Sequence, residues 1–216
     1  CGGMKTTLTL CPGETREIRV LLGVGKAEEE GLRIRRDFGH AEACAEAFRK
    51  LKSRWHDCLR RFEVKSPDGD FDSMVNVWNP YNALIAFNWS RAASLVYNGE
   101  RDGLGYRDSV QDCIAIAGLA PEIARERLEL MLSGQDHLGG ALSVIQPFNH
   151  HPGDMVRQAE ERYRGDDALW LFNAVPVYVA ETGDIGFYDK VLPFSDEGEA
   201  TVFEHLPRPL AYNWDR

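Results

Sequence analysis

The sequence lacks the usual marks of a disulfide-stapled or membrane-spanning protein. Its five cysteines are scattered, odd in number and without Cys-x-x-Cys spacing, which predicts neither a disulfide framework nor a zinc site. No uninterrupted apolar run reaches bilayer length, and the first five residues lack the charged and apolar regions of a signal peptide. The sequence therefore predicts reduced thiols and a soluble protein of the cytoplasm.

Positive charge is also scarce. The chain has 25 Lys and Arg against 34 Asp and Glu, a formal net charge of −9 and a pI near 5.2. Nucleic acid and anionic membrane surfaces both require a basic face to offset their phosphates, so neither is an expected partner. With 44% hydrophobic residues in 216, the chain can still fill an ordinary globular core.

The N-terminal quarter carries two different periodicities. Apolar and polar residues alternate around Leu8 and around Val20, on either side of a turn at Pro12, which predicts two strands joined tightly. Two strands cannot bury a face in water by themselves, so they look like the end of a β domain. Between residues 40 and 62 apolar residues recur every three or four positions, which predicts an amphipathic helix.

The remainder of the chain predicts four more helices, over residues 81–97, 109–117, 121–133 and 167–182. Asn79 and Ser109 have the side chains of N-caps, Pro121 suits a first helical position, and Pro176 is expected to bend the last helix. That last helix is apolar on all sides and must be covered on all sides, as in a ring of inner helices inside outer ones. The residues between 135 and 165 are too many for an idle connection, which favours an ordered functional loop.

The residues between 98 and 112 form a Gly-rich loop with alternating charges. Guanidinium forks and carboxylates on such a loop can bracket sugar hydroxyls. The alternative is a solvated turn with local ion pairs. A dinucleotide site is not indicated, because a helix rather than a strand precedes the Gly-x-Gly sequence.

Asp166 and Asp167 stand where the long loop ends and the last helix begins. One carboxylate can cap the helix while the other projects into a cavity as a general acid, although a capped helix start alone would account for the pair. His150 and His151 invite a metal, but no third ligand has suitable spacing, so we expect no metal site. Trp78, just before Asn79, is a candidate to stack on a sugar ring.

Several stretches, in this order, resemble glycoside hydrolase family 94, the inverting β-glycoside phosphorylases. They are Asn76-Val77-Trp78-Asn79-Pro80-Tyr81-Asn82, Asn88-Trp89-Ser90-Arg91-Ala92, Gly103-Leu104-Gly105-Tyr106-Arg107-Asp108-Ser109-Val110-Gln111-Asp112, Asp166-Asp167-Ala168-Leu169-Trp170 and Glu181-Thr182-Gly183-Asp184. Tyr97-Asn98-Gly99-Glu100-Arg101-Asp102, Gln146-Pro147-Phe148, Tyr163-Arg164-Gly165 and Lys190-Val191-Leu192-Pro193 look closest to the chitobiose and cellobionic acid branch.

The resemblance implies a mainly α chain in three parts: residues 1–24 end an N-terminal β-sandwich, 25–62 form a helical linker, and 63–216 begin an (α/α)6 barrel. It also implies phosphorolysis of a β-linked disaccharide to a sugar 1-phosphate, with inorganic phosphate as co-substrate, no cofactor, and a homodimer when full length. On that alignment the family's phosphate-binding positions lie beyond Arg216. Pro207 and Pro209 depart from the family by interrupting a helix.

The resemblance also implies site residues. Asp166 matches the general acid, and Arg101 and Asp108 match residues that hold the donor sugar. Further substrate-binding candidates from the same two segments are Arg107, Gln111, Asp112, Arg164 and Asp167. One acid suffices for this chemistry, because phosphate is already negative and can attack the anomeric carbon without a general base.

Two other functions stay open at this point. The chain could be an inactive fragment or a sugar-binding module that keeps the donor loop but lacks a phosphate site, or part of a hydrolase on the same barrel. The products distinguish the three functions: a phosphorylase releases sugar 1-phosphate, a hydrolase releases free sugar alone, and a binding module releases neither. The disaccharide is also open, since the residues around Arg164 suit an N-acetylated or a carboxylated partner.

Overall fold

The computed structural model describes residues 3–23, 25–90, 103–155 and 163–214. These residues are mainly helical, with a few short strands. By compactness the chain divides into two units, residues 1–55 and 56–216.

In the first unit the predicted strands do not form. Residues 3–23, as the structure describes them, contain a turn at Pro12 and Gly13 but no strand. The turn is closed by a hydrogen bond of 2.9 Å from the Glu14 N–H to the Cys11 carbonyl, as the sequence predicted. Extended segments become strands only when a neighbouring strand satisfies their backbone groups, and alternation in sequence cannot supply that neighbour.

Helices follow these extended residues. A π-helical turn, Ala27–Gly31, leads into α1, Leu32–Phe38, and then into α2, Ala41–Leu59. The predicted amphipathic helix is thereby confirmed within a few residues at each end. Phe48 and Leu51, on its apolar stripe, are both more than half exposed in this chain.

The described residues of the second unit contain helices α3 to α9, four short strands and several single turns. The helices are α3, Gly69–Ser73; α4, Asn79–Trp89; α5, Tyr106–Ile116; α6, Pro121–Leu132; α7, Leu171–Thr182; α8, Val202–His205; and α9, Arg208–Trp214. The strands are β1, Leu104–Gly105; β2, Val144–Ile145; β3, Val191–Pro193; and β4, Glu199–Thr201. The remaining turns are π-helical at Met74–Trp78 and 3-10 at Pro147–Asn149, Ala168–Trp170 and Ile185–Asp189.

The helical segment before α4 begins earlier than predicted. Asp68 is its N-cap, accepting hydrogen bonds from the backbone N–H groups of Asp70 and Phe71, and helical turns then continue into α4. Asn79 therefore lies inside helical backbone and is not the cap that the sequence suggested. As described, α4 ends at Trp89, with Ser90 in the left-handed conformation, and the predicted end at 98–99 lies outside the described residues.

Helix α5 is the central element of this unit, packing against α4, α6 and α7. It begins at Tyr106, three residues before the predicted Ser109, whose hydroxyl is fully buried and makes no cap. Buried residues continue along it as Val110, Cys113 and Ile116. The N-cap expectation was wrong because a serine next to buried apolar residues can equally belong to the packed face.

The expected start of α6 at Pro121 is confirmed, as is its buried face of Ala124, Leu128, Met131 and Leu132. Helix α7 keeps Pro176 in its interior and ends at Gly183, whose positive φ of 73° suits a residue without a Cβ. The sequence predicted that α7 is covered on all sides. The described residues do not cover it fully, since Phe172 remains 40% exposed.

The long connection after α6 is ordered over its described part, as predicted, up to residue 155. Strand β2 pairs antiparallel with β1, and the Tyr106 N–H donates to the Ser143 carbonyl at 3.0 Å. Gly103 has a φ of 111°, and a Cβ there would clash with a Val144 methyl carbon. This close approach fixes the start of α5.

The expected break in the C-terminal helix occurs at Pro207, since α8 ends at His205 and α9 begins at Arg208, whereas Pro209 lies inside α9 and does not interrupt it. His205 is fully buried, with its Nδ1 2.8 Å from the Gln135 amide oxygen and its Nε2 3.1 Å from the Leu192 carbonyl. Burial lowers the pKa of His205 to about 4. None of the helices in the described ranges combines the length and apolar composition needed to cross a bilayer.

Candidate active site

The start of α5 and the turn before α7 bring two of the predicted site segments together. The Arg107 Nη1 donates to the Asp166 Oδ2 at 2.9 Å, although the two residues lie 59 positions apart in sequence. The Arg107 Nε is 4.0 Å from the Asp108 Oδ1. All three side chains are between 40% and 50% exposed, so a ligand can reach them.

Side-chain and backbone contacts hold the second segment, residues 163–167, in place. The Asn213 side chain of α9 donates to the Gly165 carbonyl at 2.8 Å, and the Asp167 N–H donates to the Arg164 carbonyl at 3.4 Å. Tyr163 is buried and lies edge-on to Tyr212, with ring centroids 6.1 Å apart. The turn Ala168–Trp170 then packs against α5, which sets the position of the acid pair.

Asp166 is in an environment that favours its ionised form. The hydrogen bond from Arg107 is the largest of the effects that lower its pKa, and burial opposes it only in part. The positive charge of Arg107 and a hydrogen bond from Trp170 also lower the pKa of Asp166. In this arrangement Asp166 is suited to accept hydrogen bonds rather than to donate a proton.

Asp167 is in the opposite situation. Its side chain is fully buried, and neither carboxyl oxygen has a hydrogen-bond partner among the described residues. Burial raises its pKa to about 6, with Asp166 and Asp108 acting in the same direction and Arg164 and Arg107 opposing. The helix cap that the sequence assigned to it is not formed. The cap expected of Asp167 was therefore wrong, whereas the assignment of Asp166 as the proton donor stays a prediction.

The other predicted residues are placed in part. Gln111 and Asp112 follow Asp108 by three and four positions on α5, which puts them on its side of the helix, and Asp112 is buried. Arg164 is exposed and acts on Asp167 through its charge. Arg101 lies outside the described residues, so its assignment stays a prediction.

Two residues support the site through contacts that the sequence analysis did not predict. Trp170 hydrogen-bonds to Asp166, and its spacing of four positions was an available signal. Asn213 holds the Gly165 carbonyl from 48 positions away, and no local pattern indicates such a contact.

The paired histidines have no metal-like arrangement. His150 Nε2 lies 2.9 Å from the Ser133 hydroxyl, and within the described residues no group of three potential ligands could hold a metal ion. Trp78 is 52% exposed, and its ring is nearly perpendicular to that of Tyr81, with centroids 6.2 Å apart, so its role in stacking stays a prediction.

Comparison with known families matches this chain to one of them over most of its length. The catalytic domain of the glycosyl hydrolase 94 superfamily matches residues 54–216. This range contains both segments of the candidate site.

Relatives of established activity cover nearly the whole chain. An N,N'-diacetylchitobiose phosphorylase from Vibrio proteolyticus is 35% identical over 99% of this chain and 29% of its own length. A solabiose phosphorylase from Paenibacillus borealis is 25% identical over 98% of this chain and 25% of its own, and a cellobionic acid phosphorylase from Neurospora crassa is 25% identical over 94% and 24%. The chain thus spans less than a third of the length of these relatives.

Proposed function

Because the chain belongs to the glycosyl hydrolase 94 superfamily, we propose that it forms part of a disaccharide phosphorylase. The reaction would be the reversible, inverting phosphorolysis of a β-linked disaccharide, with inorganic phosphate as co-substrate and a sugar 1-phosphate as product. Phosphorylase names recur among the relatives, with different disaccharides, which supports the reaction more strongly than any one sugar.

The architecture that goes with this function is an (α/α)6 barrel, of which residues 63–216 would be the first part. Family membership supports it, together with the packing of α5 against three other helices. Residues 1–24 would end a β-sandwich and residues 25–62 would form the linker. The full-length protein would be a homodimer, and its location in the cytoplasm stays a prediction of the sequence.

The main observation that supports the proposal is the contact between the start of α5 and the turn before α7. Arg107 and Asp108 begin α5 and reach solvent, and the ion pair to Asp166 adds a third polar group to the same surface. Guanidinium donors and carboxylate acceptors at one exposed place can bind several hydroxyls of one sugar ring. We assign the donor sugar to this surface, with Arg101 as a further contact.

The proposed step needs only one proton donor. A phosphate oxygen attacks the anomeric carbon from one face while the glycosidic bond breaks on the other, and the departing oxygen takes a proton from a carboxylic acid. The family resemblance gives this role to Asp166. To fill it, Asp166 must leave Arg107 and gain a proton, because the ion pair keeps its pKa low.

A second role for Asp166 is favoured by that same ion pair. If Arg107 and Asp166 stay together, Asp166 orients the guanidinium and accepts a sugar hydroxyl, and the acid comes from outside these 216 residues. The relatives are more than three times as long as the stretch that the chain covers, so other segments can contribute such a group.

Product analysis with a donor of altered leaving group separates these roles. In the full-length protein, Asp166→Asn should abolish phosphorolysis of the natural disaccharide if Asp166 is the acid, since general acid catalysis supplies about 10²–10⁴-fold. A donor whose leaving group needs no protonation should then restore the rate. If Asp166 only binds, both donors lose rate by a similar factor.

The matched control is Asp189→Asn, which removes an exposed carboxylate far along the chain from the site. It should leave both donors unaffected. Sugar 1-phosphate among the products supports phosphorolysis, free sugar alone indicates a hydrolase, and sugar binding without turnover indicates a binding module.

A further inference from the structure

The buried carboxyl of Asp167 has no function in the binding surface described above. Its side chain is fully covered, and both oxygens lack hydrogen-bond partners among the described residues. The Ser109 hydroxyl, on the packed face of α5, is buried and unpartnered in the same way. A buried carboxylate without a partner is strongly unfavourable, whereas a neutral carboxylic acid in the same place is far less so.

Charged groups surround this carboxyl from each neighbouring segment. Its own turn contributes Arg164 and Asp166, and α5 contributes Arg107 and Asp108. These four charges cancel, since two are guanidinium groups and two are carboxylates. The uncharged neighbour is the Tyr106 phenol, whose pKa is raised by burial and by the charges of Asp167 and Asp136.

The protonation of Asp167 therefore decides the net charge of the cluster. When Asp167 carries a proton the five groups sum to zero, and when it is ionised they sum to −1. Arg107 and Arg164 are the groups of this cluster able to attract an anion, and an extra negative charge behind them weakens both. Its pKa of about 6 puts this change inside the range in which enzymes usually work.

We propose that Asp167 is a positioning residue whose neutral, protonated form keeps Arg107 and its neighbours free of excess negative charge, so that an anionic co-substrate of the inorganic phosphate class binds more tightly when Asp167 is protonated than when it is ionised. This rests on the proposed phosphorolysis. Like charges repel, so ionisation of Asp167 should weaken the binding of a phosphate anion at this surface, by about tenfold for each ~1.4 kcal/mol of repulsion.

The test is the KM for inorganic phosphate in full-length wild type and in Asp167→Asn, measured between pH 5 and 8. Asparagine has nearly the same shape but cannot ionise. Ionisation of phosphate itself affects both proteins, so its effect divides out in the ratio of wild-type KM to variant KM. This ratio should rise on the order of tenfold as pH increases through about 6. The corresponding ratio of KM values for the neutral disaccharide should not change with pH.

A ratio for phosphate that stays constant with pH would overturn the proposal, because a purely structural Asp167 would shift KM equally at every pH. If the variant does not fold, carbon-13 NMR of wild-type protein labelled at aspartate carboxyls gives the answer. One buried carboxyl must titrate near pH 6, and adding phosphate must move its midpoint upward. Absence of any such carboxyl refutes the proposal.

The same NMR titration distinguishes this inference from the proposed function. If wild type makes no sugar 1-phosphate, the phosphorylase proposal fails, while a phosphate-linked ionisation of Asp167 still supports an anion site. If sugar 1-phosphate forms and the KM ratio is flat, the phosphorylase proposal stands and the role of Asp167 is wrong.

Discussion

Replacing Asp167 by asparagine also has a consequence for stability that follows from burial alone. The pKa of Asp167 rises from 3.8 to about 6, a difference of about 2.2, and each pKa unit corresponds to about 1.36 kcal/mol. The product is about 3 kcal/mol, an upper estimate for the cost of ionising this carboxyl in the folded chain.

The sign follows from proton binding. The folded state holds the Asp167 proton more tightly than the unfolded state, so the contribution of Asp167 to the stability of the fold is greatest below about pH 4. It falls as pH rises from about 4 through about 6, and then stays constant. Asp167→Asn has no proton to lose, so the difference in stability between the two proteins should change by about 3 kcal/mol over this range.

Hydrogen exchange of peptides covering residues 163–175 measures this locally, whether in this chain or in a longer protein. We expect the opening constant of wild type, divided by that of Asp167→Asn, to increase by about 10² between pH 4 and pH 7.5. The asparagine amide brings its own buried polar groups, but that contribution does not vary with pH.

A ratio that does not change with pH would refute the reasoning, because it would mean that Asp167 is ionised in the fold or is open to solvent. Asp166→Asn is the control, and its ratio should change little between pH 4 and pH 7.5. The pKa of Asp166 is lowered, so its contribution to stability is present above about pH 4 and is lost as pH falls below its unfolded value of 3.8.

Three further predictions concern the donor surface, the loop and the isolated chain. Asp108→Ala in the full-length protein should weaken donor-sugar binding by about 1–3 kcal/mol in calorimetric titration, and an unchanged affinity would contradict its assignment. Gly103→Ala should destabilise the fold by about 1–3 kcal/mol in urea unfolding, because its φ of 111° and the Val144 methyl both exclude a Cβ. Gly153→Ala is its control, with a positive φ but nothing within 4 Å of the added atom, and a similar loss there would show that the close contact is unimportant. The 216-residue chain alone should bind a hydrophobic dye and aggregate, since Phe48, Phe172 and other large apolar side chains are exposed, whereas a monomer that melts cooperatively with little dye binding would be inconsistent with this expectation.

Local sequence patterns determined the helices whose signals lie within one or two turns. The three-to-four-residue period of α2, the proline that opens α6 and the glycine that ends α7 each act through the backbone of their own neighbours. For the same reason the turn at Pro12 was predicted correctly. Motif resemblance over separated segments likewise indicated the family that comparison then showed.

Capping and strand formation depended on partners that local patterns do not specify. Ser109 has the side chain of a cap, yet packing of α5 placed it in the core, while Asp68 caps the segment that Asn79 was expected to open. The alternating residues near Leu8 and Val20 have the composition of strands, but a strand also requires a hydrogen-bonded neighbour.

The charge states at the candidate site were decided by tertiary structure alone. Asp166 and Asp167 are the same residue type in adjacent positions, so the sequence cannot say which one is covered and which one meets Arg107. Next to the turn Ala168–Trp170, which packs against α5, one carboxyl is buried and the other is exposed beside a guanidinium from 59 positions away. Burial raises one pKa and the ion pair lowers the other, because desolvation and Coulombic attraction depend on distances that only the folded chain sets.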